Sequence, residues 1–114
     1  VILLFCHRRM CMQVAECMGI SLEEAQKNLL HSPLADQYER GQLTSQNVYE
    51  ILKEQYALTI SQNTLFSAFS DIFTLNEPII PLLKELKAQG IELILLSNTC
   101  QAHFTYALAN YPIL

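Results

Sequence analysis

Charged residues are scarce in this chain of 114 residues. They make up 16% of the sequence, whereas soluble proteins average about 25%. Hydrophobic residues account for 51%, which predicts that more of the surface than usual is covered, by a partner or by further protein. The net charge is −4, and the only adjacent basic residues are Arg8 and Arg9. This charge pattern excludes the basic patch of a nucleic-acid-binding protein.

Long hydrophobic runs and paired cysteines are also missing. The apolar stretch at residues 1–6 is too short to cross a membrane, and no small-residue cleavage site follows it. We therefore expect no membrane-spanning segment. The four cysteines, Cys6, Cys11, Cys17 and Cys100, form no CxxC pair. This spacing disfavours a zinc site or a disulfide framework and favours free thiols in a cytoplasmic protein.

Helical periodicity covers most of the sequence. Gly19 suits the left-handed end of a first helix, and Ser21 with Glu24 predicts a capping box at the start of a second. The helices predicted on such grounds are 7–18, 22–31, 34–40, 46–56, 62–73, 79–89 and 101–110. The residues of the fourth helix expected to face the core are Val48, Ile51, Leu52 and Tyr56.

Residues 91–99, with the sequence IELILLSNT, differ from the rest of the chain. An apolar run between Gly90 and Ser97 is typical of a strand buried on both faces of a parallel sheet. We therefore expect a strand over 91–96. A lone strand needs hydrogen-bonding partners, and residues 1–5 are the only other β-prone segment. Whether these two segments pair stays open.

Ser97 and Asn98 follow the predicted strand, at the edge where α/β sheets bind ligands. Two interpretations are open. Ser and Asn commonly cap a helix, and the nonapeptide alone favours that role. Alternatively, the Ser97 hydroxyl and the backbone amides before the next helix hold a small anion such as phosphate.

Three segments, in this order and spacing, resemble the haloacid dehalogenase (HAD) superfamily, in its phosphatase-like branch with a small helical cap. HRRMCMQVAECMGISLEEA at 7–25 is similar to the first cap helices, and YERGQLT at 38–44 is similar to a characteristic turn. DIFTLNEPIIPLLKELKAQGIELILLSNT at 71–99 is similar to the return into the core, ending in the second motif. The resemblance covers nearly the whole chain.

This resemblance implies an α/β HAD-like fragment with a Rossmann-like core. Residues 1–6 would be a remnant of the first core strand and loop. Residues 7–75 would form the mostly helical cap, and residues 76–114 a partial core with one helix–strand–helix unit.

The resemblance also implies a Mg²⁺-dependent phosphomonoesterase that acts on a small phosphorylated metabolite through an aspartyl-phosphate. Ser97 and Asn98 match the residues that hold the transferring phosphoryl group. No Asp-x-Asp or Asp-x-Gly-Gly motif occurs in the sequence, so we assign no catalytic or metal-binding residue and expect the nucleophile upstream of Val1. The 114 residues alone are then expected to be inactive.

Several alternatives remain open on the sequence. The same scaffold suits a haloacid dehalogenase, and a relative without its nucleophile would be a catalytically dead, helical interaction module. A homodimer, or association with further core segments, is also open. No other side chain is assigned chemistry: Asp71 is expected to be isolated and His103 to lie at the surface of its helix. Phe66, Phe69 and Phe73 are expected in the core of the cap.

Overall fold

A computed structural model describes residues 1–114 and contains seven α-helices and one small sheet. Strands β1 (Leu3–Phe5) and β2 (Phe73–Leu75) pair antiparallel, with Leu4 opposite Thr74. A 3₁₀ turn at Glu77–Ile79 precedes the sixth helix. The helices are α1 (His7–Met18), α2 (Leu22–Leu30), α3 (Pro33–Glu39), α4 (Ser45–Tyr56), α5 (Gln62–Ser70), α6 (Ile80–Ala88) and α7 (Gln101–Asn110).

Most helix ends follow the capping signals in the sequence. The Ser21 hydroxyl accepts a hydrogen bond from the Glu24 amide at 3.1 Å, and Gly19 closes α1 with a left-handed φ of 70°. The reciprocal half of the predicted capping box is not formed, because the Glu24 carboxylate accepts from the Tyr56 hydroxyl instead. The predicted helices at 7–18 and 101–110 are confirmed.

The helix predicted over 62–73 is too long, because α5 ends at Ser70 and Phe73 begins β2. The first residues of the chain explain this early end. The Cys6 amide donates to the Ile72 carbonyl at 3.2 Å, and the Asn76 amide donates to the Ile2 carbonyl at 2.9 Å. Strand pairing therefore replaces the last helical turn.

The strand predicted over 91–96 is not formed. Residues 91–100 have no regular secondary structure, and Leu96 is fully exposed. No backbone amide from Glu92 to Cys100 donates a hydrogen bond within the chain. The one candidate partner, residues 1–5, pairs with β2 and makes no hydrogen bond to residues 91–96, so this segment has no strand partner within the chain. The predicted helix–strand–helix unit thus has its two helices without its strand.

The core lies within the body formed by α1–α5. Its cluster of 13 buried residues includes Val14, Leu52 and Leu65, each at most 2% exposed. Ile51, predicted to face inward, is 41% exposed, because one residue along a helix turns the side chain about 100° from the buried stripe.

Residues beyond β2 add little to this core. Helix α6 contributes no buried residue, and the molecule measures 53 × 25 × 23 Å. None of the helices is both long enough and apolar enough to cross a membrane. The division into segments 1–6, 7–75 and 76–114 stays a prediction.

Truncation of two neighbouring side chains on α4 tests this account of the core. Leu52→Ala should lower the free energy of unfolding by about 2–5 kcal/mol, because it leaves a cavity among buried side chains. Ile51→Ala, the matched control, should cost less than about 1 kcal/mol. Urea unfolding of both variants measures the difference, and equal losses would contradict the assignment.

Candidate phosphate-binding site

A large cavity opens between the helical body and the segment at 94–100. Its volume is about 630 Å³, and 26 of its 33 lining residues are hydrophobic. Ser97 and Asn98 line this cavity together with Cys100 and His103. The structure therefore brings the two residues singled out in the sequence to the rim of an apolar cavity.

Ser97 and Asn98 do not cap a helix. Cys100 is the N-cap of α7, and both predicted cap residues are exposed and lie before it. The capping interpretation of the nonapeptide is therefore wrong. The Ser97 hydroxyl makes no hydrogen bond within the chain, and the amides of Asn98, Thr99 and Cys100 also lack a partner. This stretch can donate several hydrogen bonds to a bound group beside the positive end of a helix.

A chain of hydrogen bonds holds the start of α7 against the turn between α3 and α4. The Ala102 amide donates to the Tyr38 hydroxyl at 3.0 Å. Ser45 donates to the Gln101 side-chain oxygen through its amide at 2.9 Å and through its hydroxyl at 3.0 Å. Because the Ser45 proton is used there, the Tyr38 hydroxyl donates its own proton to the Ser45 oxygen.

The role of Tyr38 was missed in the sequence, although it begins the YERG segment that carries the resemblance. Its side chain is buried at 5% exposure, and this burial raises the pKa of the Tyr38 hydroxyl. The hydroxyl therefore stays protonated at neutral pH. Since it occupies the Ala102 amide, the backbone donors left for a ligand include those of residues 98–101, which have no acceptor within the chain.

Cys100 connects the segment to the core. Its side chain is 5% exposed, and burial raises the pKa of the Cys100 thiol above its usual value. The group is therefore a neutral thiol at physiological pH and not a nucleophilic thiolate. Cys100 fixes the beginning of α7 through packing.

His103 is not at the surface of its helix, as predicted, but half-buried in the cavity wall. Its ring stacks on Phe69 with centroids 4.4 Å apart and meets the edge of Phe73 at 5.4 Å. The signal for its burial was the spacing of Cys100, His103 and Ala107, which places all three on one face of α7.

The environment of His103 favours the neutral imidazole. Its Nε2 lies 3.1 Å from the Phe69 carbonyl oxygen, and this acceptor requires a proton on Nε2. Burial lowers the pKa of His103 below its ordinary value, and the nearby His7 lowers it further. At pH 7 the ring therefore adds no charge to the cavity.

Asp71 is not isolated, as predicted, but joins two helices. Its carboxylate accepts from Arg9 at 3.2 Å and from the Tyr106 hydroxyl at 3.0 Å. Both charged groups of the Arg9–Asp71 ion pair are about half exposed, so the pair contributes little to stability. These contacts tie α7 to α1, and none of the three residues lines the main cavity.

The residues around Ser97 do not form a magnesium site by themselves. Mg²⁺ requires carboxylate oxygens in near-octahedral geometry, and Glu39 is the only carboxylate that lines the cavity. No group of three histidine, cysteine or acidic residues in the chain is placed to hold a metal ion. No metal ligand can therefore be assigned among the 114 residues.

The fold is similar to solved structures of HAD family enzyme BT-2542 from Bacteroides thetaiotaomicron. The complex of the wild-type enzyme with magnesium and inorganic phosphate matches at a TM-score of 0.79 and 17% identity, over 96% of this chain and 54% of that chain. The magnesium complex of the same enzyme matches at a TM-score of 0.77 and 19% identity, over 96% of this chain and 53% of that chain. An aspartate-to-alanine variant of that enzyme, in complex with magnesium and inorganic phosphate, matches at a TM-score of 0.78 and 20% identity. This match covers 96% of this chain and 55% of that chain.

The chain has a HAD-like fold. It spans about half the length of the enzyme that it matches. No family model matches the sequence. The likeness supports the HAD-like and mostly helical character predicted from the sequence, whereas the Rossmann-like core stays a prediction.

The buried position of His103 predicts a pH-dependent stability. The folded-state pKa lies below that of the unfolded chain, about 6.5. The unfolded state therefore takes up the proton first, so this contribution is fully present above pH 6.5 and is lost as the pH falls towards the folded-state pKa. Urea unfolding at pH 7.5 and 5.5 should show a smaller loss of stability for His103→Phe than for the parent.

His31→Gln provides the control for this measurement, because His31 is exposed at the end of α2. Its stability should fall with pH as much as that of the parent protein. An equal fall in the parent and in His103→Phe would show that His103 is not the group responsible.

Proposed function

We propose that this chain is the helical cap and part of the core of a HAD-type phosphatase. Residues 7–75 would be the cap, between a first core strand and loop at 1–6 and a partial core at 76–114. The substrate would be a small phosphorylated metabolite, and the reaction a Mg²⁺-dependent phosphomonoester hydrolysis.

One observation carries this proposal: Ser97 and Asn98 line a cavity next to the start of α7 with donors that have no partner. A phosphoryl group needs several donors around its oxygens. The HAD-like fold supports the same assignment, as does the complex of BT-2542 with magnesium and inorganic phosphate.

In this proposal the Ser97 hydroxyl donates to one phosphoryl oxygen and the Asn98 amide donates to another. Phosphoryl transfer depends mainly on positioning and on stabilising charge at those oxygens. Donors already fixed in place reorganise little as the charge develops. The Tyr38 network would keep them fixed, because it holds the start of α7 that follows them.

The nucleophile and the magnesium ligands are proposed to come from residues outside this chain. Glu39 is the only carboxylate at the cavity, and an aspartyl-phosphate requires an aspartate. We therefore expect the 114 residues by themselves to hydrolyse no phosphomonoester. A haloacid dehalogenase would use the same fold, but the donors at 97–100 suit the several oxygens of a phosphate better than a single halide.

A non-catalytic interaction module is the second candidate, and a specific observation favours it. Apolar side chains between residues 91 and 96 are exposed by 44–100%. Exposed apolar patches of this kind usually mark a surface that binds another protein segment. Further core segments or a second copy of the chain would cover them. Such a module would bind its partner without turning over phosphate esters.

Substitution of Ser97 tests the phosphatase proposal. In the protein at its natural full length, Ser97→Ala should lower kcat for a phosphomonoester about 100-fold, the usual effect of losing one donor to a transition-state oxygen. Ser97→Thr should retain most of the activity, because it keeps the hydroxyl. Steady-state kinetics with Mg²⁺, and again with EDTA, provide the measurement.

Thr105→Ala on the exposed side of α7 is the matched control and should leave kcat unchanged. Retention of activity in Ser97→Ala would contradict the assigned role. An absence of activity in the parent protein would favour the interaction module, and activity in EDTA would contradict the magnesium requirement.

A further inference from the structure

We infer that the substrate is a phosphate monoester whose organic part is uncharged and aromatic, and that this part occupies the cavity beyond Ser97. The inference rests on the proposed function for the phosphoryl group. The choice of organic part rests on the cavity itself, on its size, its charge and the arrangement of its aromatic side chains.

The size of the cavity leaves room for much more than a phosphate. Its volume of about 630 Å³ falls in the range of sites that bury a small organic molecule. The phosphoryl donors lie at one part of the wall, at residues 97–100, whereas most of the lining comes from the helical body. A substrate anchored at Ser97 would therefore extend over apolar side chains.

The part of the cavity wall that this chain forms offers no cationic partner to a second anionic group. No lysine or arginine lines it, and its one formally charged side chain, Glu39, is acidic. A carboxylate or second phosphate on the substrate would lose its hydration without a cationic partner, which is costly. This argument disfavours bisphosphates, nucleotides and phosphorylated acids.

The polar groups of the helical body are too few for a sugar. Beyond residues 97–99, the polar lining residues are His7, Asn28, Glu39 and His103. Asn28 already donates to the Glu24 carbonyl and to the Tyr56 hydroxyl, and His103 Nε2 is paired with Phe69. Most hydroxyls of a sugar would be buried without partners, at roughly 1–3 kcal/mol each.

Aromatic rings form one continuous part of the wall. Phe66 and Phe69 meet edge to face with centroids 5.8 Å apart, and His103 stacks on Phe69. Phe73 completes this group through its contact with His103. All four rings line the cavity, and a flat apolar group can pack against them by stacking or edge contacts.

Benzyl phosphate and glycerol 3-phosphate provide the test, because both are esters of primary alcohols and differ little in leaving-group chemistry. The full-length protein should hydrolyse benzyl phosphate with a kcat/KM at least tenfold higher than that for glycerol 3-phosphate. Ala35→Phe adds a ring inside the cavity. It should lower kcat/KM for benzyl phosphate at least fivefold and leave kcat/KM for glycerol 3-phosphate unchanged. Ala109→Phe, on the exposed face of α7, is the matched control and should change neither.

Unchanged turnover of glycerol 3-phosphate also shows that Ala35→Phe folds. Equal kcat/KM values for the two esters would overturn the inference and leave the phosphatase proposal standing. If neither ester is hydrolysed, the phosphatase proposal fails. Binding of 1-naphthol, followed by NMR, then decides whether the cavity takes an aromatic ligand. Binding that Ala35→Phe abolishes would still support an aromatic ligand, whereas no binding would show that other protein fills the cavity and would overturn the inference.

Discussion

The pairing of residues 2–6 with residues 72–76 is the constraint on which the rest of the structure depends. α1 begins directly after β1, and α5 ends just before β2. The short sheet therefore joins both ends of the helical body and closes its five helices into one unit. The other edge of β1 stays unpaired, and residues 91–96 make no hydrogen bond to it. The closure of the body therefore does not depend on the strand predicted at 91–96.

The candidate site is positioned from its C-terminal side. α6 packs no residue into the core, so the segment at 91–98 is not fixed by the helix before it. α7 is held at its first turn by the Tyr38 hydrogen bond and by the stack of His103 on Phe69, and in its middle by the Tyr106–Asp71 hydrogen bond. This anchored helix positions the backbone donors of Asn98 and Thr99, which directly precede it. Residues distant in sequence, such as Tyr38, thereby determine where a ligand would sit.

The sequence was a good guide to where helices begin and a poor guide to which strands pair. Helix starts depend on contacts within four residues, so Ser21 was sufficient to find the start of α2. A strand depends on a distant partner, and hydrophobic periodicity at 91–96 carries no information on whether one is free. The end of α5 was misjudged for the same reason, since the Cys6–Ile72 hydrogen bond spans most of the chain.

The phosphate-binding role of Ser97 and Asn98 stays a prediction, and the structure bears only on where these residues lie. Ser97 and Asn98 were placed correctly at the end of an apolar run, and the structure puts them at a cavity. Their capping role was wrong because the N-cap of α7 is Cys100, three residues after Ser97 and two after Asn98. Tyr38 and His103 were not assigned to the site, since aromatic residues at helical spacing look alike whether they fill a core or line a cavity.

The absence of backbone hydrogen bonds from Glu92 to Cys100 has a consequence for the integrity of the chain. A protease needs an extended, unpaired stretch, and this segment offers one between two helices. A cut there would leave α7 in place, because its attachments run to α1, α3, α4 and α5 and not through the severed peptide. The nicked protein would keep its two pieces together until it was denatured.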